Sequence, residues 1–545
     1  MIQQQQAQKI KPHLCLTKEI DSLRSFRCLS IKNYKSLSKL KLVKQSITNL
    51  QFHKVSRIKS LKHLDLTSFN TKNSNTTQFK LFLKRFSKVQ QFSGNQSLLP
   101  AFILFKDIKG LYVKAEFKDL TERFLSQLQH SKIKTLHFTH LASDEDNSEV
   151  FIDLSAKHLP PTLENLSLLW SGYPVPPMVS FNAPFALGHL RNLQRLELGI
   201  PVESDTFKDL IKTIQEPLNL KSLRFNIIHE RSAEPEEDEI GEFLRGCCNL
   251  EELNIGCDIS WMIEFYSETE NMKLKKLAVK QFVDGEDIMA ELGELLQHQQ
   301  NNLESLSLNL TINSDGESLH VKSWLDPLFT NLKLLKSVKR LELKLTHFTH
   351  SESRRITSAL AKVIEELDGL EEIDIEQISG DFNKNVDMFE ALQKHSKSLR
   401  SLKMSLEGSS CSEKIIQTLK KLPRLEHLTL RNFGVQDLKF FLDLRDIVCE
   451  KNQYLNSVEI TNVKRPKGAE NTIEMLKDII RKSTMNEFCY LESWRPNYSA
   501  EFGSMEVLNL PDVIREVQHF KRLQFFSGAC EPPFFEWDFD MYKWT

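Results

Sequence analysis

The chain has 545 residues with 72 Lys and Arg against 73 Asp and Glu, and its 40% of hydrophobic residues contain no run long enough to span a bilayer. That balance excludes a disordered chain and an α-helical membrane protein. The nine cysteines (15, 28, 247, 248, 257, 411, 449, 489 and 530) show no C-x-x-C pair and no paired framework, which excludes a disulfide scaffold and predicts buried free thiols in a reducing compartment.

The N-terminal stretch MIQQQQAQKIKPHLCLTK lacks the continuous apolar segment of a secretory signal. Lys9, Lys11 and Lys18 leave mitochondrial import open, but the Gln run and the lack of Arg weigh against it, so the expectation is an intracellular protein of cytoplasm or nucleus. The triplets Phe26/Leu29/Ile31, Leu37/Leu40/Leu42 and Ile47/Leu50/Phe52 start 11 and 10 residues apart, too close for a return helix. They predict a cap of short irregular turns over residues 1–60, because a first strand otherwise presents unpaired backbone and an open core.

This end is strongly basic. Residues 1–100 hold 19 Lys or Arg against Glu19, Asp21 and Asp65, a formal charge of 19 − 3 = +16, and the remainder carries (72 − 19) − (73 − 3) = −17. Such a field steers an acidic partner. The candidate patch comprises Lys32, Lys35, Lys39, Lys41, Lys44, Lys54, Arg57, Lys59, Lys84, Arg85 and Lys88. Its partner would be nucleic acid, an acidic protein tail or an acidic patch of the same assembly; a solvated basic face is the plain alternative. Aromatic interleaving is thin, so any contact with phosphate would be sequence-independent.

From Leu61 a phrase L-x-x-L-x-L recurs: Leu61/Leu64/Leu66, Ile133/Leu136/Phe138, Leu163/Leu166/Leu168, Leu193/Leu196/Leu198, Leu220/Leu223/Phe225 and Leu250/Leu253/Ile255. Leu274/Leu277/Val279, Leu303/Leu306/Leu308, Val338/Leu341/Leu343, Leu370/Ile373/Ile375, Leu399/Leu402/Met404, Leu425/Leu428/Leu430 and Leu455/Val458/Ile460 continue it, with starts 24 to 35 residues apart from Ile133 onward. The fourth and sixth positions of each phrase lie two apart on a strand and share its buried face, and the residue between them faces out. Val89 to Leu111 holds weaker copies.

Between strands the apolar period rises above three, which predicts amphipathic helices. Their faces are Ile356/Leu360/Val363/Ile364/Leu367, Ile415/Leu419/Leu422 and Ile473/Leu476/Ile479/Ile480, with further helices near 207–215, 285–298, 385–396, 435–450 and 510–520. The pattern resembles the leucine-rich-repeat family in its long-unit form. That resemblance implies an α/β solenoid, a curved horseshoe with a parallel sheet on the concave face and helices on the convex face. The main array is expected over 61–487, and degenerate terminal repeats with an aromatic cap (Phe534, Phe535, Trp537, Phe539, Tyr542, Trp544) over 488–545. The slot three residues after the sixth position, often Asn in this family, holds no ordered Asn ladder here, so the turns must satisfy their backbone by other means.

The exposed strand positions carry the interaction hypothesis. Glu372, Asp374 and Glu376 project from one strand, with Arg340, Glu342 and Lys344 on the preceding one and Lys403 on the next. They form either an inter-strand charge ladder or a band that engages a charged protein partner. The Pro-rich aromatic insertion Trp170 to Phe185 either binds a partner or packs back on the array. The acidic stretches at 144–149 and 234–239 read as solvated loops.

No Gly-rich phosphate loop, H-E-x-x-H or G-x-S-x-G occurs, and the His-Phe-Thr-His segments at 137–140 and 347–350 place their histidines on opposite faces of an extended chain. No catalytic, metal or cofactor residue is assigned. The resemblance implies a non-catalytic scaffold or adaptor mediating protein–protein interaction in a larger intracellular assembly. The alternatives are an accessory ribonucleoprotein subunit using the basic end, a ubiquitin-ligase substrate receptor and a GTPase activator.

Overall fold

Each coil start, rather than each turn, carries the repeating hydrogen-bond unit. In the computed structural model, the backbone N–H groups of Gln90 and Gln91 both donate to the Lys62 carbonyl, at 2.8 and 3.0 Å, and those of Lys109 and Gly110 to the Gln90 carbonyl at 2.8 and 2.9 Å. The same two-to-one rung recurs as far as Asn456 and Ser457 on the Glu426 carbonyl. Backbone polar groups at these positions are consumed within the protein. The described residues are 18–20, 39–42, 61–66, 83–84, 88–95, 98, 102–105, 107–115, 122–141, 150–152, 158–171, 179–181, 190–203, 219–228, 247–257, 272–283, 286–312, 321–346, 350–376, 386–405, 412–432, 439–452, 454–463, 476, 478–479, 481–483, 485, 487–492 and 522–526. They fall in two compact units, Met1–Glu234 and Pro235–Phe539.

The first unit contains β1 (Lys18–Ile20), β2 (Lys39–Leu42), β3 (His63–Leu66), β4 (Gln91–Asn95), β5 (Gly110–Ala115), α1 (Glu122–Gln129), β6 (Thr135–Leu141), β7 (Val150–Ile152), β8 (Asn165–Ser171), β9 (Val179–Phe181), β10 (Arg195–Glu203) and β11 (Ser222–Ile228). All pairings are parallel, and the main ladder runs β1, β2, β3, β4, β5, β6, β8, β10, β11. β9 comes from the Pro-rich insertion. It pairs with β7 and, at Val179, with Val202 beyond an irregularity in β10, so this part of the insertion packs back on the array.

The second unit contains β12 (Glu252–Cys257), β13 (Lys276–Val283), α2 (Glu286–His298), β14 (Ser305–Ile312), α3 (Val321–Leu332), β15 (Arg340–Thr346), α4 (His350–Glu366), β16 (Glu372–Glu376), α5 (Val386–Lys394), β17 (Ser401–Ser405), α6 (Ser412–Leu419), β18 (His427–Arg431), α7 (Lys439–Asp446), β19 (Ser457–Val463), β20 (Glu487–Glu492) and β21 (Arg522–Phe526). Every strand pairs in parallel with its sequence neighbour. Helices pack on successive helices. This is a leucine-rich-repeat solenoid: all three apolar positions of every phrase from Leu61 to Ile460 are buried.

Several expectations need correction or completion. At the N-terminus β2 pairs directly with both β1 and β3, and these strands start 39 − 18 = 21 and 63 − 39 = 24 residues apart. Leu40 and Leu42 lie on β2, and the triplets at 26–31 and 47–52 lie outside the described residues, as do the predicted helices at 207–215 and 510–520 and the aromatic tail. The weak copy at Val89 is a full strand whose sixth slot is Gly94. A Cβ there would meet the Phe92 ring at 3.0 Å, and Phe92 packs on Phe105 with centroids 5.0 Å apart, so an aromatic ring fills the missing layer.

Helices α1 and α3 were not predicted. In α3, Pro327 removes one backbone donor, and Gly293 of α2 lets the two helices approach: a Cβ there would lie 2.8 Å from Asn331 Nδ2 and 3.3 Å from the Pro327 carbonyl. In place of an Asn ladder, buried polar side chains near the ends of helical segments bridge to the previous coil. Gln299 accepts from the Leu274 N–H at 3.0 Å and donates to the Met272 carbonyl at 2.7 Å. His395 Nε2 donates to the Ile364 carbonyl at 2.8 Å, and Asn452 Nδ2 to the Leu425 carbonyl at 3.1 Å.

Candidate interaction surface

Strand alternation places one residue of each buried pair's interval on the opposite face. In the second unit the register sets Glu342 opposite Asp374, with Arg340 opposite Glu372, Lys344 opposite Glu376, and Asp374 opposite Lys403. All seven residues of the predicted band therefore lie on one patch spanning β15 to β17.

The patch is a ladder of ion pairs: Arg340–Glu372 at 3.4 Å, Lys344–Glu376 at 3.7 Å and Lys403–Asp374 at 3.1 Å. Arg431 of β18, which the sequence reading passed over, extends it to Glu376 at 2.6 Å and to Glu459 of β19 at 3.5 Å. Its signal was present as the outward residue after Leu430. One contact is unfavourable. Burial first, and then the facing Asp374 carboxylate, push the Glu342 carboxyl above its usual range, against the Ser307 hydroxyl, Arg340 and Lys403. Asp374 Oδ1 and Asn254 Oδ1, both on the central outward positions of their strands, are buried acceptors without a hydrogen-bond donor.

The first unit's strand face is different. Ser167 Oγ donates to Glu197 Oε2 at 2.7 Å, and Arg224 pairs with Glu197 Oε1. Burial would raise the Glu197 carboxyl, but Arg224, the Ser167 hydroxyl and Arg195 outweigh it and hold it below the usual range. His137 stacks tilted on Tyr112 at 5.5 Å, and burial pushes its imidazole down, against Glu197 and with Lys114, Arg195 and Arg224. His137 and Thr139 bond to each other at 3.2 Å. These polar groups satisfy one another, and among the described residues no group of three metal-ligating side chains forms.

Of the predicted basic patch, Lys39 and Lys41 lie on β2, in register with His63 and Asp65. Lys84 and Lys88 are exposed, and Lys32, Lys35, Lys44, Lys54, Arg57, Lys59 and Arg85 lie outside the described residues. The rungs reveal another basic set, at the second position of each phrase. Lys62, Gln90, Lys109, Lys134, Glu164, Gln194 and Lys221 are successive rung positions in the first unit. In the second unit the same positions read Glu251, Lys275, Glu304, Lys339, Glu371, Arg400 and Glu426, alternating in sign at every step. Lys275–Glu251 at 2.8 Å and Arg400–Glu426 at 3.2 Å are closed pairs of that row.

Cys247 and Cys489 are buried free thiols as expected, whereas Cys248 is exposed; burial pushes the Cys247 thiol up to about 12. Among the described residues no helix is long and apolar enough to cross a membrane.

No protein-family model matches the chain, and no curated protein matches it. Among solved structures it is similar to an internalin from Listeria monocytogenes (14% identity over 75% of this chain and 90% of that one, TM-score 0.35). It is also similar to the leucine-rich repeat-containing protein LegL7 from Legionella pneumophila (13%, 75% and 97%, TM-score 0.27) and to a chain of the yeast Rad7–Elc1 complex (14%, 82% and 95%, TM-score 0.32). The fold assignment stands on the chain's own repeat geometry.

Proposed function

We propose that the chain is a non-catalytic leucine-rich-repeat scaffold or adaptor that holds a protein partner on the strand face of the second unit within a larger assembly. One observation carries this reading: the central row of that face holds two buried acceptors lacking donors, Asn254 Oδ1 and Asp374 Oδ1. Beside Asp374 stands a second carboxylate, Glu342, in direct register. A buried acceptor left unpaired costs about 1–3 kcal/mol, and beside this row Arg340, Glu372 and Lys403, each at least 41% exposed, present charge that a partner can reach. Successive strands about 4.8 Å apart present an extended surface, which suits recognition of a protein better than capture of a metabolite.

The test is native purification with mass spectrometry, repeated after nuclease treatment and with R340E/E372R/D374R. A nuclease-resistant partner lost from the variant supports the reading. Partners that all stay bound to the variant, or purified protein that turns over a nucleotide or activates a GTPase, would overturn it.

A further inference from the structure

We propose that Glu342 and Asp374 share one proton across the β15–β16 register, with Glu342 as the acid donating to Asp374 Oδ1, so that the second unit's strand face takes up a proton as pH falls. The inference concerns the chemistry of the face itself and holds whatever that face binds.

The placement follows from the register. Glu342 lies directly opposite Asp374, on parallel strands about 4.8 Å apart. Each sits between two buried residues of its strand, Leu341 and Leu343 in one case and Ile373 and Ile375 in the other, so alternation sends both carboxyls to the same face. From β17, Lys403 reaches Asp374 Oδ2 at 3.1 Å. Asp374 Oδ1 is buried and has no donor.

The surrounding charges decide which carboxyl carries the proton. Of the four carboxylates on β15 and β16, Glu372 pairs with Arg340, Glu376 with Lys344 and Arg431, and Asp374 with Lys403, whereas Glu342 makes no ion pair among the described residues. From β14 it is faced by Ser307, flanked by Ser305 and Asn309, so that strand offers a hydroxyl and no charge. Two carboxylates held in one site cannot both ionise at low cost, and the one without a cation gives way first.

Proton uptake does two things at once. It removes the repulsion between the facing carboxylates, and it turns Glu342 from an acceptor into a donor directly opposite an acceptor that lacks one. The upward displacement of the Glu342 carboxyl, from burial first and then from Asp374, against Ser307, Arg340 and Lys403, accords with Glu342 as the acid. The pair is therefore closed with the proton bound. As pH rises through the folded value, above 4.5, the proton leaves to solvent and the face gains one negative charge and an unsatisfied oxygen.

The test is urea denaturation of the full-length chain at neutral pH and below pH 4.5, arranged as a double-mutant cycle. At neutral pH E342Q should raise the midpoint over wild type, because its amide donates to Asp374 without carrying charge. In the D374N background, where the facing charge is gone, the same E342Q change should raise it less. Below pH 4.5 wild type should match E342Q, since the acid now donates as the amide does, and both should exceed E342A. An E342Q gain of equal size in the wild-type and D374N backgrounds would assign the titration of Glu342 to burial alone and overturn the shared proton. E342A as stable as wild type below pH 4.5 would overturn the donated bond, and that comparison requires no change at Asp374.

Discussion

At the rung positions of the second unit acid and base alternate from Glu251 to Glu426, whereas in the first unit Lys62, Lys109 and Lys134 run with only Gln90 between them. The strand faces invert this contrast. The first unit's face holds a buried carboxylate satisfied by Ser167 and Arg224, while the second unit's face leaves Asp374 and Asn254 with orphan acceptors. Each unit thus closes its electrostatics on one surface and leaves another open. Direct cross-strand pairs are worth only a few tenths to about 1 kcal/mol each, so the alternation is a modest stabiliser; its absence marks where charge is available to a partner.

The largest effect that sharpens this comparison is expected at Arg224. Arg224→Ala leaves the largely buried Glu197 without its guanidinium partner, and should lower the unfolding free energy by about 3 kcal/mol, read from the urea midpoint at constant m. A loss no larger than that of an exposed pair would break the claim that the first face is internally closed.

The two buried carboxylates should then respond to pH with opposite signs. Glu197 sits below its ordinary value of 4.5, so its ionisation stabilises the fold above that pH and the contribution disappears as pH falls through the folded value. Glu342 sits above 4.5, so the stability it contributes is complete below that pH and is lost as pH rises through its folded value. Denaturation across pH should therefore show E197Q destabilised and E342Q stabilised at neutral pH, with the E342Q advantage vanishing below pH 4.5. Equal signs would contradict the assignment.

His395 gives a smaller, helix-side response. Burial holds its imidazole below the ordinary 6.5, against its bond to the Ile364 carbonyl, so the unfolded chain takes up a proton first. Stability should fall as pH drops below 6.5 until the folded imidazole also titrates, and H395Q should flatten that slope in the same denaturation series. Smallest of all, Arg340→Ala in the exposed ladder should cost no more than about 0.5 kcal/mol, measured in the same way as Arg224→Ala.

The core was legible because burial of fourth and sixth positions leaves a two-residue period that survives any loop length. The ladder at Arg340, Glu372 and Lys403 was legible for the same reason, since register follows once strands are aligned by their leucines. Gly94 obscured β4 because its core slot is filled by a ring from position 92, and Pro327 obscured α3 because its tolerance depends on Gly293 of another helix. Lys62, Lys109 and Lys134 do not read as one row in the sequence because the rungs that align them join residues 19 or more apart, a relation that a local charge count does not weigh.

The central claim is that the second unit's strand face is the partner surface, and crosslinking of the native complex through lysine tests it most directly. The account expects partner crosslinks from Lys403, Lys276 and Lys280 on the strands. Crosslinks confined to Lys362, Lys394 and Lys420 on the helix side would contradict it.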